Sequence, residues 1–120
     1  MKKINIKIKK NIEEEGVVID AFICGGATFS SAASELAAAF KSLTPSEIEN
    51  ILRDHWSRMK IEGDKGQRWI LAKVPKSKVA VRSATAAMKK AIRGAVKEAR
   101  ELNEARGLED WLIKEEEFKV

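Results

Sequence analysis

The residue types that do chemistry are few in this sequence and far apart. Its one cysteine, Cys24, ends an apolar run, and its one histidine, His55, falls on a different predicted element. A thiol beside an imidazole base is a nucleophile–base pair, which makes the two a formal candidate for covalent catalysis. No cationic cluster adjoins Cys24 in sequence to favour the thiolate, and a cysteine ending an apolar strand ordinarily serves as a small hydrophobe. A structural zinc centre fails on number, because it needs four ligands and only two soft ones exist. Asp20, Glu62, Asp64 and Lys65 are the residue types of a nuclease site, which requires carboxylates converging on two ions about 4 Å apart. Nothing in their spacing imposes that convergence, and Asp20 is expected to pair with a lysine of the first strand.

The stretch "FICGGATFSS", residues 22–31, carries two opposed readings. In one, the Gly25-Gly26 turn and the first amides of the next helix cradle an anion, with Thr28, Ser30 and Ser31 adding hydroxyls. Walker spacing is absent, as is the third glycine of a dinucleotide fingerprint. In the other, the glycines turn a strand into a helix with Ser30 or Ser31 as its N-cap. The second reading requires less and is preferred.

Charge is the stronger signal. Residues 65–100 hold eleven bases and one acid, Glu98, whereas residues 101–120 hold seven acids and three bases. At about 100° per residue, Arg82, Lys89, Arg93, Lys97 and Arg100 fall within an arc of about 80°, opposite an Ala/Met stripe. Lys65, Arg68, Lys73, Lys76 and Lys78 precede them, with Trp69 as a stacking platform. Lys7, Lys9 and Lys10 join this surface if the fold brings them near. Clustered cations along a polyanion release counterions, which is the physical case for nucleic acid. Two alternatives compete: ordinary i,i+4 pairs (Lys97–Glu101, Arg100–Glu104), and neutralisation by an acidic tail or an acidic partner. A membrane surface is set aside, because the helix's apolar side is mostly alanine and buries too little area in lipid.

The elements that must position these residues follow from periodicity. Residues 3–9 alternate Ile with Lys or Asn, as an exposed strand does. "VVIDAFIC" reads as an inner strand covered on both faces and hairpinned to the first. "SSAASELAAAFKSL" is helical in composition, and Thr44-Pro45-Ser46-Glu47 is a capping box with Pro at the first helical position. That second helix places Ile48, Ile51, Leu52, His55 and Met59 on one face and ends near Gly63. "QRWILAKV" is a third strand stopped by Pro75. A long helix then runs from Ser77 to Arg106, stopped by Gly107. The acidic tail, residues 108–120, is expected to fold back on the basic segment or cross a dimer, with "EEEFKV" as a fourth, C-terminal strand.

The expected fold is therefore α+β, a single domain with a small antiparallel three-stranded sheet packed by about three helices in the order β-β-α-α-β-α. A chain of 120 residues suffices for one modest core. The lone cysteine suits a reducing compartment, and "MKKINIKIKK" has no continuous apolar core of a signal peptide, so the cytoplasm is expected. The functional expectation is a small non-enzymatic binding protein without cofactors or metal, contacting nucleic acid through phosphates over segment 65–100. The alternative is a protein-interaction module, such as a phage or mobile-element inhibitor docking on an acidic surface. The Ala-rich long helix also permits a homodimer.

Overall fold

The computed structural model describes the backbone of residues 4–118 and the side chains of residues 4–108. Its elements are β1 (Ile6–Glu13), β2 (Gly16–Ile23), α1 (Phe29–Ala39), α2 (Pro45–Arg58), β3 (Asp64–Lys65), β4 (Leu71–Val74) and α3 (Lys78–Phe118). The strands form one antiparallel four-stranded sheet in the order β1-β2-β4-β3, so the fold is α+β as expected. The fourth strand is β3, inserted before β4, and not the C-terminal segment.

The helices cover one face of the sheet. Val17, Ile19, Ala21 and Ile23 of β2 and Ala72 and Val74 of β4 are buried there against Phe29, Leu36, Met88 and Ile92. The other face carries Lys7, Lys9 and Asn11 opposite Phe22, Asp20 and Val18, all exposed or half-buried. β2 is thus covered on one side, not two. Its outward apolar residues are shielded by the stems of neighbouring lysines, which cover apolar surface while their heads stay in water. Lys9 Nζ lies 5.5 Å from the centre of the Phe22 ring.

The glycine-rich stretch is a hairpin turn. Ile23 N–H donates to Gly26 O (2.9 Å) and Gly26 N–H returns to Ile23 O (2.8 Å), with Cys24 at φ 51° and Gly25 at φ 86°. Two consecutive positive φ angles define the tight turn that matches strand twist and favours Asn-Gly or Gly-Gly. Gly26 is needed for another reason: a Cβ there would meet the backbone nitrogen of Ala32 at 2.7 Å. The left-handed conformation strains an L-residue such as cysteine but not asparagine. Cys24→Asn is therefore expected to raise the urea midpoint; a lowered midpoint would show that the half-buried thiol's packing outweighs the backbone strain.

The capping box at Thr44 forms as expected. Thr44 Oγ1 accepts from Glu47 N–H (3.2 Å) and Glu47 Oε1 accepts from Thr44 N–H (3.1 Å). Glu47 also pairs with Arg106, tying the start of α2 to α3. The Arg106 guanidinium, and next the Thr44 amide, lower the Glu47 pKa from 4.5 to about 2. A carboxylate whose pKa is depressed by folding stabilises the fold above its unfolded pKa, and that contribution is lost as pH falls towards 2. Glu47→Gln should lower the urea midpoint at pH 6 and match the wild type near pH 2. Thr44→Ala should cost about 1 kcal/mol at neutral pH, read from the same titration. Equal midpoints at both pH values would remove Glu47 from the pH dependence.

α3 does not stop at Gly107. A glycine inside a helix costs only about 1 kcal/mol relative to alanine, and Ala105, Arg106, Leu108 and Glu109 around it favour continuation. The expected helix stop at Gly107 is therefore absent, and "EEEF" is helix rather than strand. The side chains of Trp111, Leu112 and Phe118 lie outside the described residues.

Candidate functional site

α3 packs through Ala80, Ala84, Met88, Ala91, Ile92, Ala95, Val96 and Ala99, all buried. Small residues on this stripe let α2 approach closely; a Cβ on Gly94 would stand 3.0 Å from His55 Nδ1. Burial of that stripe turns the opposite side outward. Arg82, Lys89, Arg93 and Lys97 are exposed there, in a line that begins with Lys76 and Lys78. From Lys78 to Lys97 the helix holds six cations and no acid. No ion pair among the described residues involves any of them. α2 behaves differently: Arg53 and Arg58 pair with Glu49 and Asp54 at i,i+4 spacing.

Two concavities lie along this line. The first is an open groove of about 540 Å³ between the β1–β2 hairpin and the start of α3, lined by Lys10, Ile12, Lys76, Lys78, Val81 and Arg82 among others. Ile12 is 80% exposed, and Val79, which follows Lys78 on α3, is 77% exposed. The second, of about 500 Å³, is bounded by Ala86, Lys89, Lys90, Arg93, Gly94 and Lys97.

The remaining expected site residues are elsewhere. Lys65 is half-buried and its Nζ donates to the carbonyls of Trp56 (3.2 Å) and Ser57 (2.8 Å), satisfying the C-terminal end of α2. Arg68 and Trp69 sit in the loop before β4, where Arg68 O accepts from Phe29 N–H and Trp69 bridges to Thr28. Lys73 is on the open sheet face, opposite Val18 and Asp64. Arg100, at the far end of the line, is half-buried beside Ile4, Phe40 and Glu104. Of the N-terminal lysines, Lys10 joins α3, while Lys7 and Lys9 occupy the open sheet face. Lys10 and Lys90 are additions that the helical wheel alone does not supply.

The other chemical candidates come apart. His55 Nε2 lies 3.2 Å from Glu98 Oε1, and no described contact joins it to Cys24. Thr28 is the N-cap of α1, and Ser31 its capping-box partner, in place of Ser30 or Ser31 as cap. Their hydroxyls bond one another's backbone amides (3.0 Å each), and the Phe29 amide donates to Arg68 O, so the Thr28 and Ser31 hydroxyls and the Phe29 and Ser31 amides serve the helix start itself. Asp20 accepts from Asn11 (3.4 Å) on the open sheet face. Among the described residues, no group of three or more His, Cys, Asp or Glu is placed to hold a metal ion, and no helix is long and apolar enough to cross a membrane. Comparison with protein-family models, with curated proteins and with solved structures finds no match.

Proposed function

We propose that this chain is a small non-enzymatic protein of the cytoplasm that binds nucleic acid through phosphates, using the outward face of α3 from Lys78 to Lys97 together with Lys10 and Lys76. The observation that carries this reading is the run of six cations without an acid and without a described ion-pair partner. Cations left unpaired at the surface are the ones able to exchange counterions for phosphates. At about 1.5 Å per residue the run is about 28 Å long, comparable to eight base pairs of duplex. Ala86 between the cations keeps the strip low enough for a backbone to lie along it. No base-reading arrangement accompanies the cations, so binding is of low sequence specificity.

One observation favours a second reading, docking on an acidic protein surface: Ile12 and Val79 are exposed beside the cations, and phosphates make no use of apolar anchors. Gel shifts with duplex DNA, single-stranded DNA and RNA at 50 and 200 mM salt separate the two. About six phosphate contacts predict a loss of about 10³ in affinity between those concentrations for any sequence. No shift with any nucleic acid at 50 mM salt overturns the nucleic-acid reading.

A further inference from the structure

We infer that the chain forms an antiparallel homodimer in which the C-terminal part of α3 from one copy lies in the basic groove at the start of α3 of the other. The inference does not rest on nucleic-acid binding. It starts from charge sorting within one helix: residues 78–97 carry +6, while residues 98–118 hold eight acids and three bases, a net of −5.

The outward face at the start of α3 asks for an acidic partner with apolar anchors, since exposed Val79 stands there between Lys78 and Arg82, and exposed Ile12 lines the adjoining groove with Lys10 and Lys76. The sequence from 108 to 118 has that composition, with Leu108, Trp111, Leu112 and Phe118 among five acids. The same copy cannot supply it. α3 is one continuous helix, so Val79 and Phe118 are about 58 Å apart at about 1.5 Å per residue. The described contacts of α3 with the rest of the fold reach as far as Asn103 and Arg106, which bond Ser42. Beyond them Leu108 is 58% exposed, and a Cβ on Gly107 would touch nothing. α3 thus leaves the packed body of the fold by Leu108 and continues as helix to Phe118.

A two-fold axis brings that end to a second copy and satisfies both grooves at once. One antiparallel register opposes Val79 to Phe118, Arg82 to Glu115, Ala86 to Trp111 and Arg93 to Glu104. Lys97 and Arg100 meet near the axis as like charges, but Arg100 is half-buried beside Ile4 and Phe40.

The test uses the full chain with Cys24→Ser, carrying either Val79→Cys or Phe118→Cys. Mixed and mildly oxidised at low salt, the two should cross-link to each other in several-fold preference to themselves. Adding Arg82→Glu and Arg93→Glu to the Val79→Cys chain should abolish that preference. Sedimentation of the unmodified chain should show a dimer that becomes a monomer when residues 109–120 are removed. A monomeric full-length chain, equal or like-with-like cross-linking, or a dimer that survives the truncation overturns the inference. None of these readings involves nucleic acid, so the outcome is independent of the gel shifts.

Discussion

Truncating Phe29 to alanine is expected to cost about 3–5 kcal/mol and to lower the melting temperature by about 10–20 °C. Phe29 is 2% exposed and opens α1. Its ring meets Trp56 edge-on at 5.7 Å between centroids and lies under the Arg53 guanidinium at 4.8 Å. Both neighbours are themselves fixed to the 66–67 loop, Trp56 Nε1 donating to Gly66 O (3.1 Å) and Arg53 to Gln67 O (2.8 Å). The Phe29 amide closes the circuit on Arg68 O. One side chain thus joins α1, α2 and the segment leading into β4, and its removal leaves a cavity whose walls are held apart by hydrogen bonds. Phe29→Leu keeps most of the volume and loses the aromatic geometry, so it should cost less than about 1.5 kcal/mol. If Phe29→Ala melts within a few degrees of the wild type, the junction collapses freely and has no such role.

The fold was legible where local chemistry dictates structure. Thr44-Pro45-Ser46-Glu47 specifies a helix start by side-chain bonds within four residues, and alternation over Ile4, Ile6 and Ile8 specifies a strand with two unlike faces. It was illegible where tertiary contact decides. Asp64–Lys65 has no strand signature and pairs only because Gly63 and Gly66 let the chain approach β4, where a Cβ would meet Lys73 O at 2.1 Å and Trp69 O at 2.2 Å. Thr28 rather than Ser30 or Ser31 caps α1 because the hairpin turn closes at Gly26, leaving an extended residue there. Gly107 has the identity of a helix stop, but among the described residues no tertiary contact at Gly107 or Leu108 takes the chain elsewhere.

The site was half legible for the same reason. Helical periodicity places Arg82, Lys89, Arg93 and Lys97 together because they share one element. Lys10 follows the parity of Ile4, Ile6 and Ile8 and so faces the helices, a consequence visible only once the strand is paired. Lys65 and Lys73 look like part of one basic run, yet a strand sends neighbours two apart to the same face and a turn reverses the chain between them. One is consumed capping α2 and the other stands on the opposite side of the sheet from α3. A contiguous charge run in sequence becomes a contiguous surface only within α3.

Arg93 and Lys97 make that distinction measurable. Replacing both by glutamate should weaken binding to every DNA and RNA sequence alike and reduce the slope of log affinity against log salt by about two units, one for each phosphate no longer neutralised. Both side chains are exposed and have no described ion-pair partner, so the fold should lose no more than about 0.5 kcal/mol per substitution. The control is a second double reversal with the same change of net charge, Lys7→Glu with Lys73→Glu, on the open sheet face. Long-range attraction is screened within about 10 Å at 0.1 M salt. The sheet-face variant should therefore keep the wild-type slope and lose affinity only at the lowest ionic strengths. Unequal losses place the contact on α3. Equal losses would mean that the ligand answers to total charge or to the sheet face, and the outward face of α3 would then not be the interface.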